Sequence, residues 1–252
     1  MTDLMGKVAL VTGGSRGIGE GIVRDLCAAG ADVVLNYTRS KDRAEAIADE
    51  LGRDHCLPVG AEMSDWRQLE SLWRQAVDWK GHIDVLVNNA AKRQAVALDA
   101  PTEEWDAHWV EAFRINLLAT AHMSRFAIRH YRERGGGIII GITARIAVRG
   151  DRPEYFHDGA AKGGMNSLLR GIARFCAGDG VLTYLICAGI IETDQSRDFV
   201  EHYGMAEAVR EIPLGELGQP QDIANIVTFL ASGKARYATG ATIDVGGASF
   251  LH

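Results

Sequence analysis

The stretch Thr12-Gly13-Gly14-Ser15-Arg16-Gly17-Ile18-Gly19 lies between an apolar run, residues 8–11, and an amphipathic segment that begins near residue 18. Its glycines permit a tight turn from strand to helix and let backbone N–H groups at a positive helix end approach a phosphate closely. A glycine-rich surface turn is the alternative, since the spacing G-x-x-x-G-x-G differs from the commoner G-x-G-x-x-G. The position after a strand favours a dinucleotide-binding loop, which uses Gly13, Ser15, Arg16, Gly17, Ile18 and Gly19.

Strand-like and helical patterns alternate along the rest of the chain. The predicted strands are residues 7–12, 32–37, 55–59, 83–87, 137–143, 181–187 and 241–245. The predicted helices are residues 17–29, 41–51, 64–79, 102–132, 159–177 and 221–231. This alternation predicts one doubly wound Rossmann domain over residues 1–252, an α/β fold with a seven-stranded parallel sheet and helices on both faces.

Composition limits the class of partner. The chain has a formal net charge of -6 and no basic run, so we expect neither nucleic acid nor an anionic membrane surface as a partner. Its four cysteines lack metal-ligand spacing, so we expect reduced thiols and no metal site. With neither a basic-then-apolar leader nor a run of membrane-spanning length, the sequence predicts a cytoplasmic protein that binds a small-molecule substrate.

The end of the second predicted strand indicates which dinucleotide binds. An NAD site usually places an acidic residue there, about twenty residues past the glycine loop, for the ribose 2′-hydroxyl. Here residues 36–40 offer neutral and cationic donors, and Arg16 adds a positive charge that suits a 2′-phosphate. The alternative is that the arginines are ordinary solvated side chains. We therefore predict NADP(H), contacted by Asn36, Tyr37, Arg39 and Ser40.

Two further strand ends carry candidate cofactor contacts. Asn88-Asn89-Ala90-Ala91 follows the fourth predicted strand, and Glu62-Met63-Ser64-Asp65 follows the third. Ligands of open parallel sheets bind at the carboxyl ends of the strands. We therefore expect the cofactor near Glu62, Met63, Asn89, Ala90 and Ala91, although Ser64 or Asp65 also suits the cap of the next helix.

Taken together, these stretches resemble the short-chain dehydrogenase/reductase family, particularly its members similar to 3-oxoacyl-carrier-protein reductases. The resemblance covers essentially the whole chain and extends to Asn116 and to residues 159–165, 189–193, 213–223 and 240–247. It implies a nicotinamide cofactor whose contacts include Gly189, Ile191 and Thr193, and a homodimer or homotetramer formed through helices. Separately, we expect the loop after Gly189, at about residues 190–212, to be a substrate loop that acts as a mobile lid through the 202–205 region.

The catalytic residues implied by this family are Asn, Ser, Tyr and Lys, with the last two spaced Y-x-x-x-K. Asn116 and Lys162 match, but Asp158 stands at the tyrosine position. Ala144 stands at the serine position, so that Thr143 is the neighbouring hydroxyl. An exposed aspartate would be ionised at neutral pH and would repel a developing alkoxide unless burial raised its pKa.

Three interpretations of these substitutions remain open. Asp158 and Lys162 form an ordinary i,i+4 ion pair. Alternatively, Tyr155 or His157 supplies a relocated proton donor. In the third interpretation, the substitutions are one coordinated change, in which the carboxylate orients an iminium substrate whose reduction needs no proton donor and forms no oxyanion.

The leading hypothesis is an atypical NADP(H)-dependent oxidoreductase that reduces a C=N bond of an imine or iminium, or a C=O bond, in a small molecule. The rival is a cyclase, dehydratase or isomerase on the same scaffold, or a cofactor-binding protein without turnover. The glycine loop favours retained cofactor binding, whereas the missing tyrosine counts against ordinary dehydrogenase chemistry.

Overall fold

A seven-stranded sheet forms the centre of the computed structural model, which describes residues 2–251 apart from the side chains of Gln195, Asp198, Phe199, His202 and Tyr203. Its strands are β1 (Val8–Val11), β2 (Asp32–Tyr37), β3 (Cys56–Gly60), β4 (Val85–Asn88), β5 (Gly137–Ala144), β6 (Val181–Ala188) and β7 (Thr242–Val245). All neighbours are parallel, in the order β3-β2-β1-β4-β5-β6-β7. The predicted doubly wound Rossmann fold is confirmed.

Helices connect the strands. They are α1 (Gly17–Ala28), α2 (Lys41–Leu51), α3 (Trp66–Lys80), α4 (Thr102–Phe113), α5 (Ala119–Arg134), α6 (Ile146–Arg149), α7 (Phe156–Cys176), α8 (Asp194–Tyr203), α9 (Met205–Val209) and α10 (Pro220–Ala231). Short 3-10 turns lie at Pro153–Tyr155, Ala177–Asp179 and Arg236–Ala238. No helix among the described residues combines the length and apolar character needed to cross a membrane.

Strand side chains alternate between two apolar layers, because successive residues point to opposite faces of the sheet. On β5, Ile138, Ile140 and Ile142 pack with buried residues of α1 and α10, whereas Ile139 packs with buried residues of α3, α5 and α7. A Cβ atom at Gly141 would lie 2.2 Å from Leu169 Cδ1. The glycine therefore lets α7 lie close to β5, which fixes the first turns of α7 at the carboxyl end of the strand.

The predicted helix 102–132 is interrupted. A five-residue π-helix, Arg114–Leu118, separates α4 from α5 and contains the buried Asn116. Such single-turn π-helices are frequent at functional sites. The helix predicted to begin at residue 159 begins instead at Phe156, which puts Asp158 in its first turn.

The predicted substrate loop contains α8 and α9. Within its 202–205 region, the side chains of His202 and Tyr203 lie outside the described residues. The motion expected of this region stays a prediction.

Candidate active site

The glycine loop forms a tight backbone turn at the carboxyl end of β1. Gly13 and Gly17 have φ values of 63° and 53°, a region that favours glycine. A Cβ atom at Gly19 would lie 2.1 Å from the carbonyl oxygen of Gly13, so the loop and α1 touch there. Arg16, the N-cap residue of α1, makes no side-chain capping bond. The first N–H groups of this helix therefore suit an anion such as a pyrophosphate.

Two buried amides hold this loop in place. Asn36 is fully buried: its Oδ1 accepts a 3.1 Å hydrogen bond from Gly13 N, and its Nδ2 donates a 3.3 Å bond to Val59 O. Asn89 Nδ2 donates to the carbonyl oxygens of Thr12 and Gly13, at 2.9 and 3.0 Å. Asn36 was predicted to contact the cofactor, but its side chain is turned inward and supports the loop instead.

Thr12 is a supporting residue that the sequence reasoning missed. Its hydroxyl accepts hydrogen bonds from the backbone N–H groups of Asn89 and Ala90, at 3.0 and 3.1 Å. Two features of the sequence could have predicted this role. The Thr12 hydroxyl directly precedes the glycines, and two asparagines lie at the end of the neighbouring strand β4. Through these bonds the ends of β1 and β4 are joined, with Ala90 against Gly13 and Ala91 exposed.

The predicted phosphate-binding arginines lie on neighbouring loops. Arg16 follows β1 and Arg39 follows β2, and these two strands pair directly. Both side chains are exposed, and neither makes an ion pair with any described residue. Tyr37, the last residue of β2, and Ser40, the N-cap residue of α2, are half-buried. These arginines are therefore available to an added phosphate.

The turn after β3 is largely occupied by its own contacts. The Glu62 carboxylate accepts a 3.3 Å bond from Ser64 N, and Met63 is buried. Asp65 caps α3 by accepting a 2.9 Å bond from Arg67 N. Asp65 therefore caps α3, as the alternative given in the sequence analysis predicted.

The loop after β6 approaches the glycine loop. A Cβ atom at Gly17 would lie 3.0 Å from Thr193 Cγ2, and Thr193 also caps α8. Ile191 forms a parallel bridge to Gly218, and the close approach of Gly246 leaves no room for a side chain at Gly189. Of the remaining predicted contacts, Ser15 is buried in the glycine loop and Ile18 packs on the core.

Lys162 lies on α7, one turn after the candidate catalytic residue Asp158. Its Nζ donates a 2.8 Å hydrogen bond to Ile142 O, the residue before Thr143 on β5. Burial lowers the pKa of Lys162 from 10.5 to about 8, and the Asp158 carboxylate acts in the opposite direction.

Asp158 is buried, with only 3% of its side chain exposed. Its Oδ1 accepts a 3.1 Å bond from Asn116 Nδ2, whereas its Oδ2 makes no hydrogen bond with a described residue and lies 3.6 Å from Arg93 Nη1. Desolvation raises the pKa of Asp158 from 3.8 to about 6, against the opposing effect of Arg93. Burial of the Asp158 carboxyl is the condition under which the sequence analysis allowed a raised pKa at this position.

The simple i,i+4 ion pair is also absent from the described contacts. Lys162 directs its ammonium to the Ile142 carbonyl, and Asp158 directs its carboxylate to Asn116 and Arg93. The two side chains are one turn apart on α7 but have different partners. The interpretation of an ordinary surface pair is therefore overturned.

The π-helix fixes the amide of Asn116. Its Oδ1 accepts a 2.8 Å bond from Lys92 N, and its Nδ2 donates a 2.9 Å bond to Lys92 O. Since Asn116 also reaches Asp158, it links the loop after β4 to the start of α7.

The other candidate acid–base residues are placed differently. Thr143 Oγ1 is buried without a hydrogen bond to a described residue. His157 is buried, and its Nε2 donates a 2.9 Å hydrogen bond to Gln94 O; burial lowers its pKa, which favours the neutral ring. Tyr155 lies under the guanidinium of Arg93, 3.7 Å from the ring centre. His157 is thus engaged away from Asp158.

Arg93 and Asp151 were not anticipated from the sequence. Arg93 Nη1 and Nη2 lie 2.5 and 3.2 Å from the two carboxylate oxygens of Asp151. The sequence feature that could have pointed to Arg93 is the cationic pair Lys92-Arg93, which directly follows the Asn-Asn-Ala-Ala stretch. Across the described residues, no group of three or more His, Cys, Asp or Glu side chains is arranged to hold a metal ion.

Comparisons with known proteins identify the family of this chain. A family model described as Enoyl-(Acyl carrier protein) reductase matches residues 13–248. The 3-oxoacyl-(acyl-carrier-protein) reductases FabG of Staphylococcus aureus (strain Mu50) and Escherichia coli (strain K12) are each 34% identical, over 98% of this chain and 99% and 98% of their own.

A solved structure of 7α-hydroxysteroid dehydrogenase with NADH and 7-oxo glycochenodeoxycholic acid is 28% identical. It superposes with a TM-score of 0.90 over 98% of this chain and 95% of that one. The crystal structure of gox2181 has a TM-score of 0.91 at 26% identity, over 98% and 96% of the two chains. This protein belongs to the short-chain dehydrogenase/reductase family of oxidoreductases.

Proposed function

We propose that this protein is an NADP(H)-dependent oxidoreductase that reduces the C=N bond of an imine or iminium, with the C=O bond of a small molecule as the second candidate. The observation that carries the proposal is the buried Asp158 carboxyl, one turn before the buried Lys162 on α7, whose Oδ2 makes no hydrogen bond with a described residue. It stands where the sequence pattern of the family has its proton-donating tyrosine.

The chain's own residues suit a dinucleotide. The glycine loop and the start of α1 would hold the pyrophosphate, and Thr193 closes this side of the loop. Arg16 and Arg39 would pair with the 2′-phosphate, and Lys162 would contact the nicotinamide ribose. When bound, NADPH supplies the hydride.

Asp158 suits a nitrogen substrate. An imine nitrogen is much more basic than a carbonyl oxygen, so an acid with a pKa of about 6 protonates it readily. Reduction of the resulting iminium yields a neutral amine without an oxyanion, and the donor that Ala144 lacks is then not required. Arg93 offsets part of the charge on the Asp158 carboxylate, which weakens simple attraction of a cation, whereas burial favours the protonated form that donates a proton.

A specific observation supports the second candidate. Because the pKa of Asp158 is raised to about 6, its carboxyl is protonated in mildly acidic solution and donates to a carbonyl oxygen there. The relatives described above also include proteins named for oxo substrates. Carbonyl reduction of this kind would be strongest below about pH 6.

The loop of residues 190–212 is proposed to cover the substrate. Three ion pairs join it to the segment after β5: Arg145 Nη1 and Arg149 Nη1 lie 3.4 and 2.8 Å from Glu211 Oε2, and Arg152 Nη2 lies 3.8 Å from Glu207 Oε1. These pairs would hold the loop over the carboxyl ends of β4, β5 and β6, where Asp158 and Lys162 lie.

The test is NADPH absorbance loss with matched cyclic imines and ketones at pH 5.5 to 8. We expect imine-dependent turnover by the wild type and a loss of at least about tenfold in Asp158→Asn, since one proton-transfer group contributes about 10²–10⁴-fold. Asp158→Tyr should favour ketones. Unchanged imine reduction in Asp158→Asn would refute the assigned role, and NADPH binding without turnover on either panel would favour the non-redox rival.

A further inference from the structure

Arg93 lies between two carboxylates that come from different parts of the chain. Its guanidinium makes a two-pronged contact with Asp151, at 2.5 and 3.2 Å, and its Nη1 is 3.6 Å from Asp158 Oδ2. The flat face of the same group lies 3.7 Å from the ring centre of Tyr155. Planar, bidentate pairs of this kind fix the orientation of an arginine.

The two carboxylates are shielded from water, whereas the arginine is partly exposed. The exposed fractions of the side chains are 30% for Arg93, 7% for Asp151 and 3% for Asp158. Charges at this depth are screened much less by solvent and salt than surface pairs are. One guanidinium is thus shared unequally by two buried carboxylates, of which Asp151 has the shorter contacts.

We propose that Arg93 and Asp151 act together as a positioning pair that controls the charge state of Asp158. Arg93 stabilises the carboxylate form of Asp158. Asp151 has the opposite effect in two ways, because it repels the Asp158 carboxylate and holds Arg93 in its own bidentate contact. The consequence for turnover rests on the proposed role of Asp158, whereas the control of its proton does not.

The other polar groups around Asp158 make contacts that do not include the side chains of Arg93 or Asp151. Lys162 donates to Ile142 O, and the neutral His157 donates to Gln94 O. Asn116 donates its amide hydrogen bond to Asp158 Oδ1. Lys92, which precedes Arg93 in the loop after β4, forms a 2.7 Å ion pair with Glu111. None of these contacts involves the side chain of Arg93 or Asp151, so we expect the two substitutions to isolate the pair.

The experiment measures the titration of Asp158 directly. Infrared spectra recorded from pH 4.5 to 8 report the C=O stretch of protonated carboxyls, and the band absent from Asp158→Asn is that of Asp158. We expect Arg93→Gln to move its midpoint upward by on the order of one pH unit. Asp151→Asn should move it downward, and Arg93→Lys, which keeps the charge, should lie between the wild type and Arg93→Gln.

The matched control is the Arg132–Asp179 ion pair, with a 2.7 Å contact at the end of α5 and close to the amino end of β6. Arg132→Gln and Asp179→Asn should leave the Asp158 band in place. Thermal unfolding of each variant identifies any that does not fold, and Arg93→Lys then replaces Arg93→Gln. Equal or same-direction shifts in the Arg93 and Asp151 variants, or shifts no larger than those of the controls, would overturn the proposal.

The activity profile separates this proposal from the proposed function. If the protein reduces imines through Asp158, the pH at which its rate falls should move with the infrared midpoint in both variants. If the infrared midpoint of Asp158 shifts in opposite directions in the Arg93 and Asp151 variants but no variant turns over an imine or a ketone, the positioning role of the pair is supported. The proposed activity is then refuted.

Discussion

The Nδ2 atom of Asn116 donates a 3.1 Å hydrogen bond to Asp158 Oδ1 and a 2.9 Å bond to Lys92 O. One amide therefore connects the π-helix, the loop after β4 and the first turn of α7. Only one oxygen of the Asp158 carboxyl is satisfied in this way, which leaves the other for Arg93 or a substrate. This asymmetry leaves one oxygen of a buried acid beside Arg93 without a hydrogen bond from any described residue.

The stability of the fold should depend on pH through Asp158. Burial raises its pKa from 3.8 to about 6, so its favourable contribution is present below about pH 4 and is lost as the pH rises through about 6. At about 1.4 kcal/mol per pKa unit, the charged form costs about 3 kcal/mol. We expect Asp158→Asn to raise the free energy of unfolding at pH 8 by up to about 3 kcal/mol.

Urea unfolding at several pH values measures this effect. The gain should shrink between pH 7 and pH 5, where the native carboxyl becomes protonated. Asp179→Asn, at an exposed position, serves as the control. A difference between Asp158→Asn and wild type that is independent of pH would contradict the prediction.

Cofactor preference should depend on Arg16 and Arg39. Because each charge-assisted bond contributes roughly 1.5–3 kcal/mol, we expect NADPH to bind at least about tenfold more tightly than NADH. The double substitution by Ala should remove this preference and leave NADH affinity nearly unchanged. Calorimetric titration of both dinucleotides measures it, with Arg53→Ala at the other end of α2 as control. A preference that survives the double substitution would exclude these arginines.

Gly19→Ala should damage the dinucleotide loop. The added Cβ would lie 2.1 Å from Gly13 O and 2.6 Å from Asn89 Nδ2, so the backbone must move. We expect a loss of at least about 1–3 kcal/mol in unfolding free energy, together with weaker NADPH binding. In Gly171→Ala, on α7, the new methyl meets no described atom within 4 Å and should stabilise the helix by up to about 1 kcal/mol. Equal behaviour of the two variants would contradict the geometry.

The protein should form a dimer or tetramer. Val110 and Leu118 are each 48% exposed on the α4 and π-helix segment, and Phe175 is 77% exposed near the end of α7. These apolar side chains suit a helical interface between copies. Light scattering at micromolar concentration should give a mass of two or four chains, and Val110→Asp with Leu118→Asp should reduce it. A monomeric wild type would refute this expectation.

Local spacing was enough to predict the fold and much of the candidate site. The glycines of residues 12–19 specify a turn because few other residues adopt its backbone angles, and alternating periodicities indicate parallel strands joined by helices. The position of Lys162, one turn after Asp158, also follows from helix geometry alone. These features depend on residues that are neighbours in the chain.

Only the tertiary structure decided the chemical state of Asp158 and the role of Asn36. Arg93 and Asp151 are 58 positions apart in the chain and meet beside Asp158 because β4, β5 and α7 pack side by side. Asn36 turns inward because Gly13 N and Val59 O both face it. A pKa depends on desolvation and on charges within a few ångströms, and neither is a property of the local sequence.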